Sequence, residues 1–123
     1  MTFAAFLVYA GRVLLGGTYV FAGIRHFTLI GPGSAAVAAR GLPYPKLVFL
    51  GGSVFEAICG ALLAVGTYPA VMSLALFVFT VAASILLLDF WNLDGEARIR
   101  TFNNVASNVA LLGGLLVSAG TSM

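Results

Sequence analysis

Residues 3–27 read FAAFLVYAGRVLLGGTYVFAGIRHF, an apolar run broken near its middle by a single cation, Arg12. A membrane-crossing helix needs about 20 mostly apolar residues, which this run supplies. A charge at mid-bilayer costs about 3 kcal/mol on insertion scales, so it belongs in a bundle interior with a partner. A second apolar run, beginning at Leu47, is broken in the same way by Glu56. Opposite signs on neighbouring spans make Arg12 and Glu56 each other's expected partner.

The rest of the chain agrees with a membrane reading. Of its 123 residues 61% are hydrophobic and 8% charged, and the mean hydropathy is +1.08. Four stretches qualify as spans, about 3–27, 47–66, 69–88 and 102–119. One membrane domain over residues 1–123 is therefore expected: an all-α, antiparallel bundle of four transmembrane helices. The net charge of +2 is small and close to the spans, which argues against a nucleic-acid partner. Cys59 is the only cysteine, so no internal disulfide can form. No basic residue precedes the first run, which reads as a retained helix rather than a signal peptide.

The loops set the orientation. The first, about 28–46, holds Gly31-Pro32-Gly33, a stretch Ser34–Arg40 that reads as a short helix capped by Ser34 and stopped by Gly41, and then Pro43-Tyr44-Pro45. Residues before proline avoid the helical region, so an extended approach to span two is expected. The second loop, Gly66-Thr67-Tyr68-Pro69, forces a tight hairpin. Arg25, Arg40, Lys46, Arg98 and Arg100 all fall near the first and third loops. The positive-inside rule then puts both loops in the cytoplasm and both termini outside. The expected location is the cytoplasmic membrane of a bacterium or archaeon. Tyr44, Tyr68 and Trp91 stand near span ends, as interfacial aromatics do.

A polar interior is legible in the spacing. Arg12, Gly16, Tyr19, Gly23 and His26 recur in steps of four and three, so they share one helical face. In span two, Gly52 and Gly60 flank Glu56 four residues to either side, a spacing that lets backbones approach closely. Arg12 lies thirteen residues from Arg25, and Glu56 ten from Lys46. If those two basic residues mark one membrane level, a long arginine bridges the difference in depth. Asn104 and Asn108, one turn apart in span four, need partners in lipid and should face inward. An interior polar pocket of Arg12, Tyr19, Glu56, Asn104 and Asn108 is expected, with an interfacial charge cluster of Arg25, His26 and Asp89. The bland alternative for Arg12 and Glu56 is a buried pair that only sets helix register. One histidine cannot give haem two imidazole ligands, and no Cys/His spacing suggests a metal site. Catalysis by this chain alone is not expected. A bound quinone or lipid needs only an apolar slot and a few hydrogen-bonding groups.

Gly11-Arg12-Val13-Leu14-Leu15-Gly16, then Phe21-x-Gly23-x-Arg25-His26-Phe27, resemble the opening of DoxX-like membrane proteins. Phe55-Glu56-x-x-x-Gly60, Phe90-Trp91 and Asn104-x-x-x-Asn108-x-x-Leu111-Leu112-Gly113-Gly114 are similar to later parts of that family. Many relatives carry a histidine just before the aromatic pair, where this chain has Asp89. The resemblance implies a four-helix bundle. It also implies association with redox complexes, since the family takes its name from a subunit linked to a quinone oxidoreductase. The leading expectation is an accessory or quinone-contacting subunit of such a complex, in contact with the bilayer and with a membrane-protein partner or further copies of itself. The alternatives are an assembly or chaperone-like interaction protein and, less favoured, a small proton-coupled transporter. Against transport stands Arg12, which would neutralise the one membrane glutamate.

Overall fold

The structure is a computed structural model that describes residues 2–87 and 93–121. It is all-helical over those residues: α1 (Phe3–His26), α2 (Ile30–Ala38), α3 (Pro45–Ala64), α4 (Pro69–Leu87) and α5 (Gly95–Gly120). Among the described residues, α1, α3, α4 and α5 are long and apolar enough to cross a membrane. The protein is an integral membrane bundle of four spans with a short extra helix, α2, in the first loop.

Local chemistry explains most helix ends. The Thr2 hydroxyl accepts the Ala5 N–H at 3.0 Å and caps α1. Pro45 and Pro69 open α3 and α4, where a missing N–H costs nothing. The residues before them, Tyr44 and Tyr68, take φ of 50° and 46°. The expected extended approach to span two is therefore not what Tyr44 adopts. It turns left-handed, and its carbonyl receives the Val48 N–H at 3.0 Å, closing the first turn of α3. Both tyrosines are exposed at span ends, where an amphipathic ring suits the interface.

Two boundaries differ from the sequence reading. The short loop helix starts at Ile30, not Ser34, and ends at Ala38. Pro32 falls in its first turn, where it is tolerated for the same reason as Pro45. The last helix starts at Gly95, well before the apolar stretch at 102. Its first turn carries Glu96, a favourable charge at a positive helix end. Hydropathy marks where lipid begins, whereas the backbone ladder continues past it.

Packing is uneven around the bundle. α1 lies mainly on α3, and α4 on α5, while α1 and α5 touch sparingly. The α1–α3 contact depends on glycines. A Cβ at Gly23 would stand 2.7 Å from the Ser53 carbonyl oxygen, and one at Gly60 2.6 Å from that of Gly16. In lipid, such close approach replaces the hydrophobic effect as the source of helix association. Tyr19, Cys59, Leu63, Leu76 and Leu115 form the core. Phe6, Leu14, Phe21, Val78 and Val117 remain exposed, as a lipid-facing surface requires.

Candidate functional site

The α1–α3 register decides which polar groups meet. Gly16 faces Gly60 and Ala64, and Gly23 faces Ser53 and Ala57. In antiparallel helices this sets Glu56 level with the turn around Ala22. Arg12 then lies about ten residues, or about 15 Å, further along α1. His26, one helical face further down, reaches Glu56 instead: Nδ1 stands 3.4 Å from Oε2.

Arg12 and Glu56 are therefore not partners, which corrects the expected pairing. The expectation took Arg25 and Lys46 as level, but the last residue of α1 meets Ser53, well inside α3. The first turns of α3 overhang α1, and α2 packs on that overhang, with Gly33 against the Phe49 ring. Arg12 is drawn to the far end of the bundle. Its guanidinium donates to the Ser118 carbonyl at 3.5 Å and to Thr121 Oγ1 at 3.3 Å. Ser118 lies in the last turn of α5, so the cation sits at the negative end of that helix. Arg12 thus tethers α1 to the α5 terminus.

The His26 geometry fixes a proton. Ser53 Oγ donates to the Phe49 carbonyl at 2.8 Å, so its proton is committed. The 3.1 Å contact between His26 Nδ1 and Ser53 Oγ must then run from the imidazole N–H to the hydroxyl oxygen. Glu56 Oε2 lies 3.4 Å from the same nitrogen, close to the imidazole but not bonded to its N–H. That carboxyl oxygen is buried and makes no hydrogen bond among the described residues. Phe49 lies against the imidazole, with ring centroids 5.3 Å apart, and holds its orientation.

Glu56 and His26 line a cavity of about 500 Å³. Tyr19 and Thr80, joined by a 2.7 Å hydroxyl–hydroxyl hydrogen bond, stand on its α1 and α4 walls. Asn104, Ser107 and Asn108 face it from α5. Asn108 is held by donating to Ser84 Oγ at 2.9 Å, while Asn104 is exposed within the cavity mouth. Arg25 lies at the rim, exposed.

Tyr19, Glu56, Asn104 and Asn108 thus come together, and Arg25 and His26, expected in a separate interfacial cluster, join them. Arg12 lies in another cavity, and Asp89 is outside the described residues. Ser53 and Thr80 were missed by the sequence reading. Ser53 had a signal: it stands three residues before Glu56, one turn away on the same face. Thr80 had none, because a single hydroxyl in an apolar helix ordinarily bonds its own backbone.

Residues 7–89 of the chain match the DoxX family. The match spans α1 to α4 and stops before α5, so the similarity noted from Asn104 to Gly114 lies beyond it. No curated protein matches the chain. No solved structure matches it either.

Proposed function

The chain belongs to the DoxX family, and from that premise we propose that it is a quinone-contacting accessory subunit of a membrane redox complex. The observation that carries this reading is the Glu56–His26 cavity, apolar in most of its wall and with polar groups from several helices. A quinone head is a flat ring with oxygens at opposite ends. Tyr19 and His26 line the cavity from α1, Glu56 from α3, and Asn104 and Asn108 from α5, so groups on separate helices can meet the quinone oxygens. The volume falls within the roughly 300–1,000 Å³ usual for small-molecule sites.

The bound quinone would supply the electron chemistry. The residues of this chain orient it and hold protons near its oxygens. The Glu56 carboxylate, on the cavity wall, can take a hydrogen bond from a ring hydroxyl. When protonated, it donates to a ring carbonyl instead. The His26 imidazole lies beside the carboxyl group, and the Asn104 amide can donate from α5. The Tyr19–Thr80 pair shares protons between two hydroxyls, so either can turn a donor inward.

The test is direct binding. The protein is purified with its native lipids, and a chainless dimethoxy-methyl-benzoquinone is titrated by equilibrium dialysis. Saturable binding by the native chain is expected, with loss in Glu56→Leu and weakening in Tyr19→Phe. Undiminished binding by a folded Glu56→Leu protein, or none by the native chain, overturns the proposal.

A further inference from the structure

A second cavity of about 610 Å³ runs along the seam between α1 and α5. Leu7, Gly11 and Leu14 form one wall, and Gly113, Gly114 and Val117 the other. α1 and α5 pack far more sparsely there than α1 and α3 or α4 and α5. Two residues, Thr18 and Leu111, line both this groove and the polar cavity. The two spaces therefore adjoin: a polar chamber at the Glu56 level continues into an apolar channel along the same two helices. Leu7 and Leu14 are more than half exposed, at 52% and 73%, so the channel is open sideways to lipid.

We infer that the site takes an amphiphile with one long hydrocarbon chain, entering sideways from the bilayer between α1 and α5. Its uncharged, hydrogen-bonding head reaches the Glu56 chamber. Its chain lies in the α1–α5 groove, running past Thr18 and Leu111 towards the Arg12 end. This deepens the headgroup reading above and rests on it. The seam is lined by small residues where the chain would lie. A Cβ built at Gly11 or at Gly113 meets nothing within 4 Å, so both glycines leave open space. The neighbouring Gly114 is different, since its Cβ would touch Leu15 at 3.7 Å.

Lateral access also has a physical rationale. A long-chain molecule dissolved in the membrane is already in an apolar medium, so the groove gains little from desolvating the chain. What the groove supplies is a path by which the head reaches a buried carboxyl without crossing water. It also gives the chain a place to lie once the head is seated.

The experiment uses the full chain in lipid nanodiscs and two probes. One is a decyl-chain benzoquinone with a diazirine at the chain end. The other is the same head without a chain. After photolysis and mass spectrometry, adducts are expected on residues 7–14 of α1 and 113–117 of α5. Gly113→Phe should abolish those adducts and weaken the chain-bearing probe about tenfold, the effect of overfilling an apolar slot. Its affinity for the chainless head should not change. Gly11→Phe fills the opposite wall and should act alike, which guards against one variant misfolding. Adducts spread over α4 at Val71 and Val78, or equal binding of the chain-bearing probe by native chain and both variants, overturn the chain path while leaving the headgroup site standing. Failure of the chainless head to bind the native protein overturns both.

Discussion

Glu56 is held by a residue that the spacing of charges did not select. Its neighbour at 3.4 Å is His26, which also meets Ser53, and not Arg12. Removing the imidazole takes away the polar group nearest a buried carboxyl, and a buried polar group left without a partner is costly. His26→Phe is therefore expected to lower stability by about 2 kcal/mol, the scale of one buried polar group left unsatisfied. His26→Phe combined with Glu56→Leu should recover most of that loss in thermal unfolding. Arg12→Met is expected to cost about 1–2 kcal/mol through the lost interaction with the α5 terminus. Arg12 and Glu56 are well separated, so Arg12→Met and Glu56→Gln should add to within about 0.5 kcal/mol. A strong coupling between them in a double-mutant cycle would restore the direct pairing. Arg12 does not neutralise the carboxyl and so does not stand against proton coupling. Arg12 was conspicuous in the sequence because any membrane charge is. Its partners were not, since among them are a backbone carbonyl and a threonine more than a hundred residues away.

At the scale of helices, glycine placement sets the α1–α3 register and through it the site. A side chain at Gly16 would collide with the Gly60 carbonyl, and one at Gly23 with that of Ser53. Gly23→Leu is expected to separate α1 from α3 and abolish a cooperative unfolding transition. Gly17→Leu, with nothing within 4 Å of its Cβ, should unfold like the native chain. Equal stability of the two would mean that the helices do not meet on that face. The sequence reading treated Gly52 and Gly60 as equivalent. They are not: Gly60 meets the α1 backbone, whereas a Cβ at Gly52 meets only the Phe79 ring at 3.3 Å. Gly60→Leu should therefore be the more damaging, since a ring can turn aside and a helix backbone cannot. The four spans were legible because lipid imposes length and apolarity on each. The beginning of α5 was not, because its first turns carry Glu96, Arg98 and Arg100 and show no apolar signal.

For the molecule as a whole, the open α1–α5 seam matters most. The chain forms two tightly packed pairs, α1 with α3 and α4 with α5, joined through α3 and α4. The seam opposite that join is the weakest part of the wall and borders both cavities. The charge distribution also makes a prediction for the whole bundle. Basic residues flank the first loop and are absent from the second, so these loops should lie on opposite sides. Cysteines placed at Gly41 and Thr67, with Cys59 replaced by serine, should react with a membrane-impermeant maleimide from opposite faces of sealed vesicles. Labelling of both from one face would refute the expected orientation.

Composition and apolar run length were enough to specify four membrane helices, because a bilayer core accepts little else. Periodicity within those runs pointed to inward faces for Tyr19 and Glu56, both buried, whereas Asn104 is exposed. What only the folded bundle decided was partnership. The axial offset between α1 and α3 follows from where their backbones can touch. That offset sends Arg12 to the end of α5, brings His26 to Glu56, and opens the seam beside them.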